Sequence, residues 1–201
     1  TDATPNQVKK IFMNSRIIGK RFRLVHVWFH DAVIETATFR TGQDKTDADV
    51  ERSVKSGNGE MITRDNCFGN IEDDVIRRDF SLNALYYDPE REVILDYIGG
   101  YNDISNRIVR SIRDNRVSLK EDPVRMLRAV KYASLLDCTL EKDLMHSIKK
   151  YSRDILKCSV NRLYEEINKI FKSSRTADVF CALNEMNLLK YLISDMHYDL
   201  S

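Results

Sequence analysis

Glu121-Asp122-Pro123-Val124-Arg125-Met126-Leu127-Arg128 lies near the start of the helical second part of the chain. Pro123 suits the first helical position, where a missing N–H is no loss, and Asp122 just before it is a good N-cap. Steps of three residues lead from Asp122 to Arg125 and on to Arg128, so one acceptor and two planar donors can share a face. Such a set can read the edge of a nucleobase. It is also what a capped helix with two solvated arginines looks like, and the stretch alone leaves both readings open.

Downstream, helical spacing predicts helices over about 122–136, 141–155, 160–172 and 176–194. Upstream the pattern is mixed. Thr4-Pro5-Asn6-Gln7 has the form of a capping box, with Val8, Ile11 and Phe12 as the apolar stripe of a short helix. Residues 21–29 and 33–39 are rich in β-branched and aromatic types and flank His30-Asp31-Ala32, which predicts a hairpin. Residues 41–66 lose periodicity and read as a long loop. Helical spacing returns at Ile71, Val75, Ile76 and Phe80. A second hairpin follows, with Leu85–Tyr87 and Val93–Leu95 around Asp88-Pro89-Glu90 and Gly99-Gly100 closing it. The expected fold class is α+β, with a mixed sheet and helices over residues 1–104 and an all-helical part over 105–201.

A chain of 201 residues can bury a normal core. Its 42% hydrophobic and 31% charged composition is that of an ordinary globular protein, without a run long enough to span a membrane. Cys67, Cys138, Cys158 and Cys181 stand far apart, which predicts reduced, buried thiols and a cytoplasmic setting. Residues 1–104 hold 14 lysines and arginines against 18 acids, and residues 105–201 hold 18 against 13. The basic second part suits a polyanion such as RNA, although scattered surface lysines would give the same excess.

Three groups of residues are candidates for chemistry. Glu35 lies on the same strand side as Val33, Ala37 and Phe39, either as an edge glutamate paired with Arg21 or Arg23 or as an oxygen ligand for a hard cation. Arg77-Arg78-Asp79-Phe80-Ser81-Leu82-Asn83 places Asp79 and Asn83 one helical turn apart. The arginines suit phosphates and the Asp and Asn suit sugar hydroxyls, unless all are solvated groups around a buried Phe80. Asp122, Arg125 and Arg128 form the third group. His26, His30, His146 and His197 show no mutual spacing of a metal or catalytic pair, and Met126 and Tyr132 read as core.

Taken in order, Arg77-Arg78-Asp79-Phe80-Ser81-Leu82-Asn83-Ala84, Leu95-Asp96-Tyr97-Ile98-Gly99-Gly100-Tyr101-Asn102-Asp103 and Glu121-Asp122-Pro123-Val124-Arg125-Met126-Leu127-Arg128-Ala129 resemble successive motifs of the bacterial class II tRNA nucleotidyltransferase and poly(A) polymerase family. Ser159-Val160-Asn161-Arg162-Leu163-Tyr164-Glu165-Glu166 is similar to the variable motif that follows. Residues 17–27, from Ile17-Ile18-Gly19-Lys20-Arg21 to Val27, resemble the segment that marks the poly(A) polymerase branch.

The resemblance implies a nucleotidyltransferase head followed by a helical neck and body, and addition of AMP from ATP to RNA 3′ ends. CCA addition to tRNA and a non-catalytic RNA- or nucleotide-binding module are the alternatives. It implies that Glu35 is a catalytic carboxylate holding Mg²⁺, that Arg78, Asp79 and Asn83 line a ribose and triphosphate pocket, and that Asp122 and Arg125 read the base with Arg128 in support. Two Mg²⁺ ions would bridge the nucleophile and the ATP phosphates. The family carries a glycine-rich turn and an Asp-x-Asp pair just ahead of the segment matching Thr1-Asp2-Ala3-Thr4-Pro5. The expectation is therefore a fragment of a longer enzyme, with a truncated head, inactive alone. An Asp acceptor beside an Arg donor fits the amine and ring nitrogen of adenine, and cytosine shows the same order. Uracil presents the reverse.

Overall fold

Thr4 opens helix α1 (Pro5–Ile11) with the predicted capping box: its backbone N–H donates to Gln7 Oε1 at 2.8 Å, and its hydroxyl accepts from the Gln7 N–H. The computed structural model describes residues 1–19, 23–41 and 68–193. The chain divides into two compact units, Thr1–Arg77 and Arg78–Ser201.

In the first unit, β1 (Ser15–Ile18), β2 (Leu24–Phe29) and β3 (Ala32–Ala37) form an antiparallel meander in that order. The predicted hairpin is β2–β3. It turns through His30, whose φ of 46° is the left-handed conformation that a two-residue hairpin turn demands. β1 was not expected, because Ser15-Arg16-Ile17-Ile18 is too short to show alternation; it pairs Ile17 with Val25 and Ile18 with Leu24. Val8, Val25 and Val27 make the small core, with Ala3, Phe12 and Ile17 against it. Helix α2 (Ile71–Arg77) is tied to the segment after β3 by the Arg40 N–H, which donates to Asp74 Oδ1 at 3.1 Å. The loop expected over 41–66 lies, beyond residue 41, outside the described residues, as do Lys20–Phe22, Cys67 and His197.

The apolar stripe expected to run from Ile71 to Phe80 breaks. Phe80 is extended (φ −129°, ψ 149°), pairs with Ser111 in an isolated bridge and is buried in the core of the second unit. A 3-10 turn over Ser81–Asn83 follows, then the predicted hairpin, β4 (Leu85–Asp88) with β5 (Val93–Asp96). Gly99 takes a φ of 79° and leads into α3 (Gly100–Ser105). The Asp96 carboxylate accepts the backbone N–H groups of Ile98, Gly99, Gly100 and Tyr101 at 2.9–3.2 Å. Burial opposes its charge, but the four donors together outweigh that and lower its pKa.

Strand β6 (Ile108–Val109), helix α4 (Asn115–Glu121), helix α5 (Val124–Leu135), strand β7 (Thr139–Leu140), helix α6 (Lys142–Tyr151), a 3-10 stretch (Ser152–Lys157), α7 (Val160–Phe171), α8 (Thr176–Glu185) and α9 (Leu189–Leu192) complete the second unit. β6 and β7 pair in parallel. The helix expected over 141–155 thus gives way to 3-10 geometry at Ser152. The one over 176–194 is interrupted where Asn187 takes a φ of 60°. Helix α5 is the spine of the core: Met126, Leu127, Ala129 and Val130 are buried against Leu144, Ile148, Ile170, Val179 and Leu183.

Two side-chain expectations need correction. Asp122 does not cap α5 with its side chain; it ends α4 outside the helical region (φ −143°, ψ 88°), which the following proline disfavours, and its carbonyl accepts the Arg125 N–H. Cys181 is exposed, and Cys138 and Cys158 are only half-buried. With the chain divided at Arg77, the charges balance within each unit, 12 cations against 12 acids and 20 against 19. The basic excess beyond residue 104 therefore supplies no separate basic unit.

Candidate functional site

Six of the seven candidate residues lie in the second unit, and Glu35 lies in the first. Within the second unit, Asp79 and Asn83 meet, though by way of the 3-10 turn and not an α-helical turn. Asn83 Nδ2 donates to Asp79 Oδ1 at 3.0 Å, and the same oxygen accepts the Phe80 N–H at 2.9 Å. The other oxygen, Oδ2, stands 2.7 Å from Arg128 Nη2 on α5. The contact is an ion pair outside hydrogen-bond geometry, so among the described residues Oδ2 and Arg128 Nε are both buried without a hydrogen-bond partner. Arg128 also donates to the Tyr132 hydroxyl at 3.2 Å and lies 3.9 Å from Glu166 Oε1 on α7. Burial works against its charge, but Asp79, Tyr132, Glu166 and Asp122 outweigh that and raise its pKa. Arg78 is turned to the same turn from outside: Nη1 donates to the Asn83 carbonyl at 2.9 Å and Nε to the Tyr86 hydroxyl at 3.0 Å.

Asp122 is held by Arg162 of α7, whose Nη2 is 2.6 Å from Oδ2. Its Oδ1 is buried and has no hydrogen-bond partner among the described residues. The carboxylate is thus anchored through one oxygen while the other is a buried acceptor left unmatched, at a cost of about 1–3 kcal/mol. Arg125 Nη1 donates to the Ser118 hydroxyl at 2.7 Å and sits 3.9 Å from Glu121 Oε2. Burial pushes the Arg125 guanidinium below its ordinary range, against the pull of Asp122, Glu121 and Asp79. Cys158 lies close enough to Asp122 that burial and the carboxylate together raise its pKa to about 11, which makes it a poor nucleophile.

Arg162, Glu166 and Lys131 join the cluster although they are not among the three groups of candidate residues. Glu166 is buried and bonded to both Lys131 and Lys169, the latter at 2.7 Å. The signal was present in part, since Arg162 and Glu166 are four apart and so share a helix face. Their partners, Asp122 at the end of α4 and Lys131 on α5, are 35 to 40 residues away in sequence, which no local pattern reveals.

Glu35 stands opposite His26 in the β2–β3 register, with Oε1 at 3.3 Å from His26 Nε2. Of the arginines expected as its partners, Arg21 lies outside the described residues, and the neighbour that pairs is His26, not Arg23. The glutamate side chain is 66% exposed, so it is not a carboxylate forced against an apolar face. Among the described residues no three acidic, histidine or cysteine side chains cluster as a metal site. The described residues therefore do not by themselves fit a Mg²⁺ centre.

Comparison with known proteins gives a consistent picture. Residues 1–110 match the family described as "Poly A polymerase head domain", and residues 137–200 match "Probable RNA and SrmB- binding site of polymerase A". The chain is 38% identical to Poly(A) polymerase I of Salmonella typhi over 192 residues, 96% of this chain and 41% of that protein. It is 27% identical over its whole length to a CCA-adding enzyme of Staphylococcus aureus, covering 47% of that protein. The chain thus spans less than half the length of these relatives. The crystal structure of the Bacillus stearothermophilus CCA-adding enzyme in complex with CTP superposes with a TM-score of 0.76 at 28% identity, covering 93% of this chain and 42% of that one.

Proposed function

Since this chain belongs to the nucleotidyltransferase family defined by the poly(A) polymerase head domain, we propose that the protein adds AMP units from ATP to RNA 3′ ends, without a template and with release of pyrophosphate. Identity supports this choice of reaction: 37–38% with Poly(A) polymerase I proteins of Salmonella typhi and Haemophilus influenzae, against 27–28% with CCA-adding enzymes of Staphylococcus aureus.

In this reading residues 1–104 are the head and 105–201 the helical neck and body, acting in the cytoplasm, a division supported by the family matches at 1–110 and 137–200. Asp122 and Arg125 read the base. Arg162 fixes the Asp122 carboxylate so that the spare oxygen accepts an exocyclic amine, while Arg125 donates to the ring nitrogen. Asp79 and Asn83 accept and donate to ribose hydroxyls, Arg128 holds Asp79 as its counter-charge, and Arg78 carries the cation for the triphosphate. Glu35 would offer a single carboxylate to Mg²⁺.

The CCA-adding reading has its own support in the TM-score of 0.76 to an enzyme bound to CTP, because cytosine offers the same amine and ring-nitrogen order as adenine. The two separate in one assay. Given ATP alone and an unstructured RNA primer, the complete protein is expected to make long tails. A single addition confined to tRNA ending in CC would transfer the chain to the CCA-adding branch, and binding without any addition would make it a non-catalytic module.

A further inference from the structure

Arg125 is fixed by a residue that precedes it by seven positions and lies on a different helix. Ser118, Glu121, Asp122 and Arg125 follow a helical spacing of 0, 3, 4 and 7, which would line one face of an unbroken helix. The helix is broken at Asp122-Pro123, yet the face survives the break: Ser118 Oγ on α4 accepts from Arg125 Nη1 on α5 at 2.7 Å. Ser118 is 1% exposed, so its hydroxyl has left water and its geometry is set by the core beside Leu119. Glu121 stands 3.9 Å from the same guanidinium nitrogen and is itself held by Arg113 Nη1 at 2.8 Å. A long, mobile cation has thereby been given one orientation by a short, rigid side chain.

The geometry points to Ser118 as a positioning residue that sets the nucleotide choice of Arg125, an inference that rests on the base-reading role proposed above. A guanidinium discriminates between bases only if its planar donors meet the ring nitrogen in a fixed direction, and a rotated one attracts any nucleotide through its charge. Ser118 supplies the direction, and Arg125 supplies the charge. Hydroxyl loss leaves the cation in place, so the change falls on selectivity and not on electrostatic attraction to phosphate.

The test is a double-mutant cycle in the complete protein, with KM and kcat measured for ATP and for UTP and thermal unfolding followed alongside. Ser118→Ala is expected to lower the ATP-over-UTP preference by about tenfold, the scale of one hydrogen bond to a charged group, mostly through KM for ATP. Ser118→Thr, which keeps the oxygen, restores the preference; Arg125→Ala removes it, and adding Ser118→Ala to Arg125→Ala changes it no further. A preference untouched by Ser118→Ala but lost in Arg125→Ala overturns the role of Ser118 and leaves base reading standing. So does an equal loss of preference from Ser118→Ala with and without Arg125, which would mark a general packing defect. A preference unchanged in Arg125→Ala overturns both the base-reading role and this inference.

Discussion

Replacing Glu166 by alanine is expected to destabilise the second unit by about 3–5 kcal/mol, the range seen when one member of a buried ion pair is removed. The reason is what remains behind. Lys131 is as buried as Glu166, at 5% side-chain exposure, and loses its counter-charge, while Arg128 loses the carboxylate 3.9 Å away. Lys169 is 58% exposed, so Lys169→Ala should cost about 1 kcal/mol or less. The double replacement Lys131→Met with Glu166→Leu should recover most of the loss, since two apolar side chains of similar volume leave no charge unmatched. Acid should act on the wild type as the mutation does. Burial opposes the Glu166 charge, but the hydrogen bonds from Lys131 and Lys169 prevail and hold its pKa below the usual glutamate value. A group with a depressed folded-state pKa stabilises above its unfolded pKa, so this contribution is complete above about pH 4.5 and is lost as pH falls through the lowered value. Thermal unfolding followed at several pH values checks all of these; an unaltered midpoint in Glu166→Ala would show that the network is not a stabilising element.

Gly100→Ala is expected to damage both stability and nucleotide binding, although alanine is the better helix former. A Cβ on Gly100 would overlap the Ser81 carbonyl oxygen and sit 3.2 Å from its carbon, backbone atoms that a rotamer change cannot move. Ser81 opens the turn that carries Asn83, and Asn83 Nδ2 holds Asp79. Relief of the overlap therefore shifts the proposed ribose pocket, with an overpacking cost of about 1–3 kcal/mol. Unfolding midpoints and ATP affinity of the complete protein measure the two effects. Wild-type affinity in a destabilised variant would separate Gly100 from the site.

Local chemistry made much of this legible. The capping box at Thr4, both hairpins and the apolar face of α5 are written in residues within a few positions of each other, and each forms. What local spacing could not show is long-range. The β6–β7 pair joins two-residue strands some 30 positions apart, and Arg162 and Glu166 acquire their roles only when α7 packs against α5. Asp79 and Asn83 converge as the spacing suggested, yet through a different geometry, because Phe80 has a deeper place in the core than the helix could give it. The Asp122-Pro123 break splits one expected helix start into the end of α4 and the start of α5. That break turns the Asp122 carboxylate from a cap into a partner of Arg162.

The claim that the start of α5 chooses the nucleotide is tested most directly by equilibrium binding of ATP, CTP and UTP to the complete protein and to its Asp122→Ala variant. ATP and CTP should bind the wild type more tightly than UTP by about tenfold or more, as expected of a correctly paired base edge, and the variant should bind all three alike. UTP binding as tightly as ATP, or a ranking that survives Asp122→Ala, would contradict it.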